Sequence, residues 1–176
     1  VFDSWLSSRH ASADKYLFPG CIDALDAVRQ QHPDAIIGAI TNGRGNPLYM
    51  PSVKSFFNFC VSGEDEGVFP KRKPDKGIYE AALGTFFNLS EESLESLNWI
   101  HVGDDLANDV GAAAMAGAKS IWLCVEEEES DLPSWNTATK EELESRAKLN
   151  DSAKAHVSKK IKHFNELESA IMHVLT

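Results

Sequence analysis

Four short apolar runs are spaced along the chain, and segments with helical periodicity separate them. The runs cover residues 35–41, 59–62, 98–103 and 119–125. Runs that are apolar at nearly every position are typical of strands buried on both faces, as they are in parallel sheets. Strands that alternate with helices predict an α/β fold, with a parallel sheet covered on both faces.

Helical periodicity marks the segments between and after these runs. It predicts a helix from Ile22 to the His32–Pro33 turn and another that opens at Pro74. Residues 46–57 are predicted to be helical in part, with an internal break. A closing helix is predicted over residues 152–175, where apolar side chains recur every three or four positions.

Charge and cysteine usage exclude several classes of protein. The 176-residue chain has a formal net charge of −10, which disfavours a general nucleic-acid binder because its field repels phosphate. No apolar run approaches the ~20 residues needed to span a bilayer, so we expect no membrane insertion. The three cysteines fit neither a disulfide framework nor a zinc site, which favours a reducing compartment such as the cytosol or an organelle matrix or stroma. Residues 126–151 are acidic and irregular, as solvated surface segments are.

The third apolar run ends in a cluster of acidic side chains. Asp104 and Asp105 directly follow Gly103, and Asp109 comes shortly afterwards. Open parallel sheets form their ligand crevice at such strand-to-helix turns. Clustered carboxylates repel one another unless a cation lies among them, and hard oxygen ligands suit Mg²⁺. Helix capping is the alternative, but one carboxylate suffices for a cap, so the pattern favours a metal or phosphate site.

Two other predicted strands also lead into polar residues. Thr41, Asn42 and Gly43 form a glycine-rich loop after the first run, and Lys73 lies downstream of the second. Taken singly, the loop is most simply a turn and Lys73 a solvated helix start. However, the carboxyl ends of parallel strands share one edge, so these residues and the aspartates are expected to converge. A hydroxyl, loop N–H groups, a lysine and a metal ion together predict phosphoryl-transfer chemistry.

In order and spacing, these motifs resemble those of the haloacid dehalogenase (HAD) superfamily. The matching segments are Ile40–Gly43, Arg72–Asp75, Val102–Asp105 and Asn108–Asp109. The turn Phe18–Gly20 and the helix after it resemble the re-entry from cap to core in members that are capped after their first strand. The resemblance covers most of residues 18–125.

The resemblance implies a three-layer, Rossmann-like α/β core with a mostly parallel sheet, here over residues 18–176, preceded by a cap remnant or linker over residues 1–17. The activity it implies most often is that of a Mg²⁺-dependent phosphatase of a small phosphorylated metabolite, acting through an aspartyl-phosphate. In that scheme Thr41 hydrogen-bonds the phosphoryl group, Asn42 and Gly43 assist in the same loop, and Lys73 stabilises the phosphate.

The resemblance also assigns the acidic cluster. Asp104 is the implied direct Mg²⁺ ligand, and Asp105 ligates or orients the ion. Asp109 is implied to hold a metal-bound water or the lysine of the phosphate site.

The family's first strand, which carries an Asp nucleophile and usually a second Asp two residues later, has no counterpart in the motifs above. Asp3 follows no apolar run, and Trp5 stands where the second aspartate is expected. We therefore expect the first strand and most of the cap to be missing, and a preceding segment or a partner chain to complete the sheet beside residues 98–103. A chain without that nucleophile is expected to be inactive alone.

Two alternatives remain open at this point. A pseudoenzyme or assembly subunit that uses the fold as a scaffold also lacks a nucleophile. A phospho-accepting receiver domain also combines paired aspartates with Thr and Lys, but there the acidic pair comes early in the chain, whereas Asp104 follows both Thr41 and Lys73.

Overall fold

The computed structural model describes residues 1–124 and 139–176, which form two compact units, Val1–Asn98 and Trp99–Thr176. Each unit combines helices with its own parallel sheet, so the predicted α/β class and the parallel strands are confirmed. No helix among the described residues has both the length and the apolar character that a membrane crossing requires.

The first unit is built on a two-stranded parallel sheet. Its helices and strands are α1 (Phe2–Lys15), α2 (Cys21–Gln31), β1 (Gly38–Thr41), β2 (Phe59–Ser62) and α3 (Lys76–Leu89). Thr41 pairs with Ser62, so both strands end at the same edge. Two short 3-10 turns at Pro47–Tyr49 and Lys54–Phe56 confirm the predicted partial helicity between the strands.

The helix α3 covers this sheet and begins shortly after the basic segment, residues 71–73. The side chain of Asp75 caps it by accepting a hydrogen bond from the N–H of Gly77 at 2.7 Å. Ile78 and Tyr79 in its first turn are fully buried. The cap and the buried first turn together fix the position at which the chain leaves Lys73.

The second unit is built on a three-stranded parallel sheet with the order β3–β4–β5. Its elements are β3 (Ile100–Gly103), α4 (Ala112–Met115), β4 (Lys119–Leu123), α5 (Lys140–Lys154), β5 (Val157–Ile161) and α6 (Leu167–Leu175). A π-helical turn, Leu106–Gly111, connects β3 to α4. Leu106, Val110 and Ala153 form a small core against which Trp122 and Val157 pack, so α5 is held against the π-helical turn.

The predicted closing helix over residues 152–175 is wrong. The chain leaves α5 at Lys154, forms the strand β5 and enters α6 only at Leu167. Val157 and Ile161 are four residues apart, a spacing that places side chains on one face both of a helix and of a strand. Along β5 the burial alternates with period two, which is the strand pattern.

The prediction of an irregular segment over residues 126–151 is also wrong in its last part. Residues 125–138 lie outside the described part of the chain, but α5 already begins at Lys140. A capping box starts it: Thr139 Oγ1 accepts from the N–H of Glu142 at 3.2 Å, and Glu142 Oε2 accepts from the N–H of Thr139 at 2.7 Å. High charge density is therefore compatible with a helix here, because the cap satisfies the first free N–H groups.

Candidate functional site

The glycine-rich loop after β1 is tied to the end of β2. Thr41 Oγ1 accepts a hydrogen bond from the N–H of Gly43 at 3.2 Å, which closes a tight turn. Ser62, a buried residue at the end of β2, donates its hydroxyl to the carbonyl of Gly43 at 2.7 Å and accepts from the N–H of Glu64 at 3.0 Å. One hydroxyl thus connects the two strand-end loops.

Asn42 holds the basic segment beside this loop. Its Oδ1 accepts from the N–H of Lys73 at 2.6 Å, and its Nδ2 donates to the carbonyl of Lys73 at 3.0 Å. These two bonds bridge 31 residues of sequence. The structure therefore brings Thr41, Asn42, Gly43 and Lys73 together, and it gives Asn42 the specific task of positioning the lysine.

Asp105 is engaged on both of its carboxylate oxygens. Oδ1 accepts from the backbone N–H of Asn108 at 2.8 Å, and Oδ2 accepts from Nδ2 of the same residue at 3.1 Å. Oδ2 also forms an ion pair with Arg146 of α5. Asp105 therefore caps the π-helical turn and anchors α5, which is the capping role that the sequence left open as the alternative.

Asp109 is buried against the end of β3. Its Oδ2 accepts from the N–H of Asp105 at 3.2 Å, and its Oδ1 lies 4.0 Å from Nε2 of His101. A Cβ at Gly103 would lie only 2.3 Å from Cβ of Asp109, so the close approach requires glycine at position 103. The glycine of the Gly103-Asp104-Asp105 motif thus leaves the space that the side chain of Asp109 occupies.

Asp104 is the exposed carboxylate of the three. Its backbone carbonyl accepts from Nε1 of Trp122 at 3.0 Å, which fixes the main chain from which the side chain leaves. Carboxylate oxygens suit Mg²⁺, and Asp104 is the one of the three whose side chain solvent reaches most easily, so its role as a direct ligand stays a prediction. Among the described residues, no group of three His, Cys, Asp or Glu side chains could by itself hold a metal ion, so a site on Asp104 needs water or further ligands.

The sequence-predicted residues therefore form two sets, one in each unit. The first unit contains Thr41, Asn42, Gly43 and Lys73, and the second contains Asp104, Asp105 and Asp109. Convergence of the two sets on one site stays a prediction.

Several residues around these sets received no role in the sequence analysis. Arg44 and Arg72 both form ion pairs with Glu64 in the first unit, and Ser62 links the two loops. Arg44 directly follows Gly43, and Arg72 directly precedes Lys73. Their position next to the motifs could therefore have identified them as candidates. Arg146 gave no such signal, because it pairs with a residue 41 positions away.

Cys60 in β2 is the residue of this sheet with a strongly shifted pKa. Burial, with a smaller effect of the negative charge on Asp65, raises the pKa of the Cys60 thiol to about 11. The thiol therefore stays protonated at neutral pH. Thiolate chemistry by Cys60 is disfavoured for that reason.

Comparison with known proteins gives one matching family, one relative and two solved structures of similar fold. Residues 71–144 match the HAD-hydrolase-like protein family. An uncharacterized protein of Saccharomyces cerevisiae is 28% identical over 118 residues, which are 61% of this chain and 38% of the relative. The fold is similar to that of a HAD phosphatase from Thermococcus onnurineus (TM-score 0.55, 18% identity, 87% of this chain and 57% of that one).

It is also similar to the fold of a 2-haloacid dehalogenase from Pseudomonas syringae pv. Tomato DC3000, with a TM-score of 0.59 and 20% identity. That similarity covers 89% of this chain and 53% of the dehalogenase. The chain thus spans between about two fifths and three fifths of the length of these three proteins. At these identities the structural similarities are evidence for the fold.

Proposed function

We propose that this chain, a member of the haloacid dehalogenase-like superfamily, provides the phosphate-binding and metal-binding part of a Mg²⁺-dependent phosphatase of a small phosphorylated metabolite. The observation that carries the proposal is the paired hydrogen bonding of Asn42 to Lys73 beside the loop after β1. A lysine brought from 31 residues away to a glycine-rich strand-end loop is an arrangement that suits a phosphoryl group.

The chemistry of the first unit supports phosphate binding in particular. The N–H groups and the Thr41 hydroxyl of the loop are donors for phosphoryl oxygens, and Lys73 adds a positive charge. A chain with a net charge of −10 repels anions at long range, so a phosphate needs such a local concentration of donors and positive charge. In this proposal Asn42 positions Lys73 and does not touch the substrate.

The aspartates of the second unit supply the metal ligand. Asp104 would bind Mg²⁺ through its exposed carboxylate, while Asp105 and Asp109 fix the turn from which it projects. A bound Mg²⁺ neutralises charge on the phosphoryl oxygens during transfer. The protein's own task here is to keep the backbone of Asp104 in place, which the bond from Trp122 does.

The attacking carboxylate is not assigned to any of these residues. Asp3 is part of the helix α1 and does not end a strand, so it lacks the position of a family nucleophile. We propose that a strand from a preceding segment or a partner chain supplies the nucleophile and completes the sheet. Covalent catalysis through an aspartyl-phosphate then requires that strand.

One observation favours the scaffold alternative. Asp105, the middle member of the acidic cluster, is committed to capping and to its ion pair with Arg146. A pseudoenzyme would retain such an anchored turn for structural reasons alone, and it would bind neither phosphate nor Mg²⁺.

Calorimetric titration of the chain with inorganic phosphate, with and without Mg²⁺, tests the proposal. We expect phosphate binding that weakens about tenfold or more in Lys73→Gln, because a charge-assisted contact is lost. Lys140→Gln removes an exposed lysine of α5 as the matched control and should change little. Asp104→Asn should remove the Mg²⁺ dependence, whereas the exposed Asp151→Asn should preserve it.

The same protein should not turn over p-nitrophenyl phosphate with Mg²⁺. Robust turnover that depends on Asp104 would refute the assignment of the nucleophile to another strand. Absence of any phosphate and Mg²⁺ binding would refute the proposal and favour the scaffold.

A further inference from the structure

Two arginines flank the predicted phosphate-binding residues and share one carboxylate. Arg44 Nη2 lies 3.4 Å from Oε2 of Glu64, and Arg72 Nη2 forms an ion pair with Oε1 of the same side chain. Two guanidinium groups against one carboxylate leave an excess of one positive charge. Because Asp65 and Glu66 follow Glu64 in the chain, this excess belongs to the three paired side chains and not to the whole loop.

Each guanidinium group also stands against an aromatic ring. The Cζ of Arg44 lies 5.2 Å from the ring centroid of Phe2, and the Cζ of Arg72 lies 5.6 Å from that of Phe69. Contact with a ring restricts the orientation of the planar guanidinium group and so lowers the entropy lost when it binds a ligand. The arginine side chains remain 46% and 48% exposed, so both can still be reached from solvent.

The position of the pair follows from the backbone around it. Arg44 is the next residue after Gly43, and Arg72 precedes Lys73. The side chain of Arg72 crosses Gly63 so closely that a Cβ there would lie 2.7 Å from Cγ of Arg72 and 3.2 Å from the carbonyl oxygen of Asn42. Glycine at position 63 therefore lets Arg72 lie against the loop after β2, at the point where that loop approaches the carbonyl of Asn42.

A purely structural cross-link between the two loops does not account for this arrangement. Ser62 already joins the loops through its hydrogen bond to the carbonyl of Gly43, and one arginine would satisfy Glu64. A site that receives an anion would have the remaining features, namely a second guanidinium group, a supporting ring for each arginine and two exposed side chains.

We infer that Arg44 and Arg72 bind a carboxylate of the substrate, so that the substrate class is small phosphate monoesters that also carry a carboxylate. The inference rests on the proposed phosphate site at Thr41, the N–H groups of its loop and Lys73. One excess positive charge matches one carboxylate, and the planar fork of arginine matches its geometry. In the absence of ligand, Glu64 occupies the guanidinium groups as an internal competitor.

The test compares two series of probes on the chain by calorimetric titration. The first series is ω-phosphonooxy carboxylic acids with two to four carbons, and the second is alkyl phosphates of the same lengths. We expect at least one acid to bind about tenfold more tightly than its alkyl partner, as one additional charge-assisted contact implies. This advantage should shrink as salt is added, because both arginines are half exposed.

Substitutions test whether the arginines cause the tighter binding of the acids. Arg44→Gln and Arg72→Gln should lower the affinity for the acid more than that for the alkyl phosphate, and Arg44→Lys should restore part of the loss. Lys140→Gln, which removes one positive charge from the surface of α5, should leave the ratio between the two series unchanged. Urea unfolding of each variant establishes that the loss is not one of folding.

Glu64→Gln separates a ligand site from a structural link. If Glu64 competes with the ligand, its replacement should tighten binding of the acid. If the three residues only join the loops, the replacement should weaken binding, and that result would overturn the inference. Equal affinities of acids and alkyl phosphates would overturn the inference alone, whereas failure of both series to bind would overturn the proposed phosphate site as well.

Discussion

Replacement of Asn42 by alanine is the most direct test of how the first unit is assembled. The substitution removes both hydrogen bonds to the backbone of Lys73, at 2.6 and 3.0 Å. Each such bond stabilises a folded protein by about 1 kcal/mol net, so the free energy of unfolding should fall by about 2 kcal/mol. With a urea dependence of about 2 kcal/mol per M, the midpoint of unfolding should fall by about 1 M.

Equilibrium urea unfolding followed by circular dichroism measures this shift. Asn88→Ala is the matched control, because Asn88 is exposed on α3, and its midpoint should stay within about 0.3 M of the parent. Phosphate affinity should fall in Asn42→Ala but not in the control, since Lys73 loses its anchor. A midpoint for Asn42→Ala equal to that of Asn88→Ala would refute the view that this asparagine fixes the basic segment.

Two further predictions concern folding stability. Gly103→Ala should destabilise the protein by about 2 kcal/mol or more in thermal unfolding, because the new Cβ would overlap the buried Asp109. Gly84→Ala, which has open space on the exposed side of α3, should instead stabilise it by about 0.5 kcal/mol. Equal shifts in the two variants would contradict the close contact between Gly103 and Asp109. Backbone N–H groups of Lys162 and then His163 donate to Glu166 and lower its pKa from the ordinary 4.5. The stability that ionised Glu166 contributes is present above pH ~4.5 and is lost as the pH falls through the lowered pKa. Glu166→Gln should therefore flatten the dependence of folding stability on pH in that window. An unchanged pH dependence would contradict the assignment.

The part of the fold that sequence could predict is the part in which short-range pattern and tertiary structure agree. The helix α2 begins and ends where Pro and Gly signals place it, and the strand β2 covers the predicted residues 59–62. The loop after β1 and the basic segment were identified from residue type, and the structure adds that Asn42 joins them. That bond spans 31 residues, so no local pattern encodes it.

The second unit shows why the remainder was not predictable. The strand β5 was mistaken for helix because two apolar residues four positions apart satisfy both periodicities. The choice between them is made by pairing with β4, which is a long-range contact. The role of Asp105 likewise depends on Arg146, which only the folding of α5 brings into reach.

The helix α1 has few contacts with the rest of the first unit. Among the described residues of α1, His10 is the buried one, and its Nε2 lies 3.2 Å both from the backbone nitrogen of Asn46 and from the carbonyl oxygen of Arg44. Asp14 accepts from the N–H and hydroxyl of Ser52, both at 3.0 Å. A helix held in this way opens at low free-energy cost, so its amide hydrogens exchange with solvent through local unfolding while β1 and β2 stay protected. Since α1 carries Phe2, each such opening also removes the ring that supports Arg44, and the rigidity of that arginine is only as long-lived as the closed state of α1.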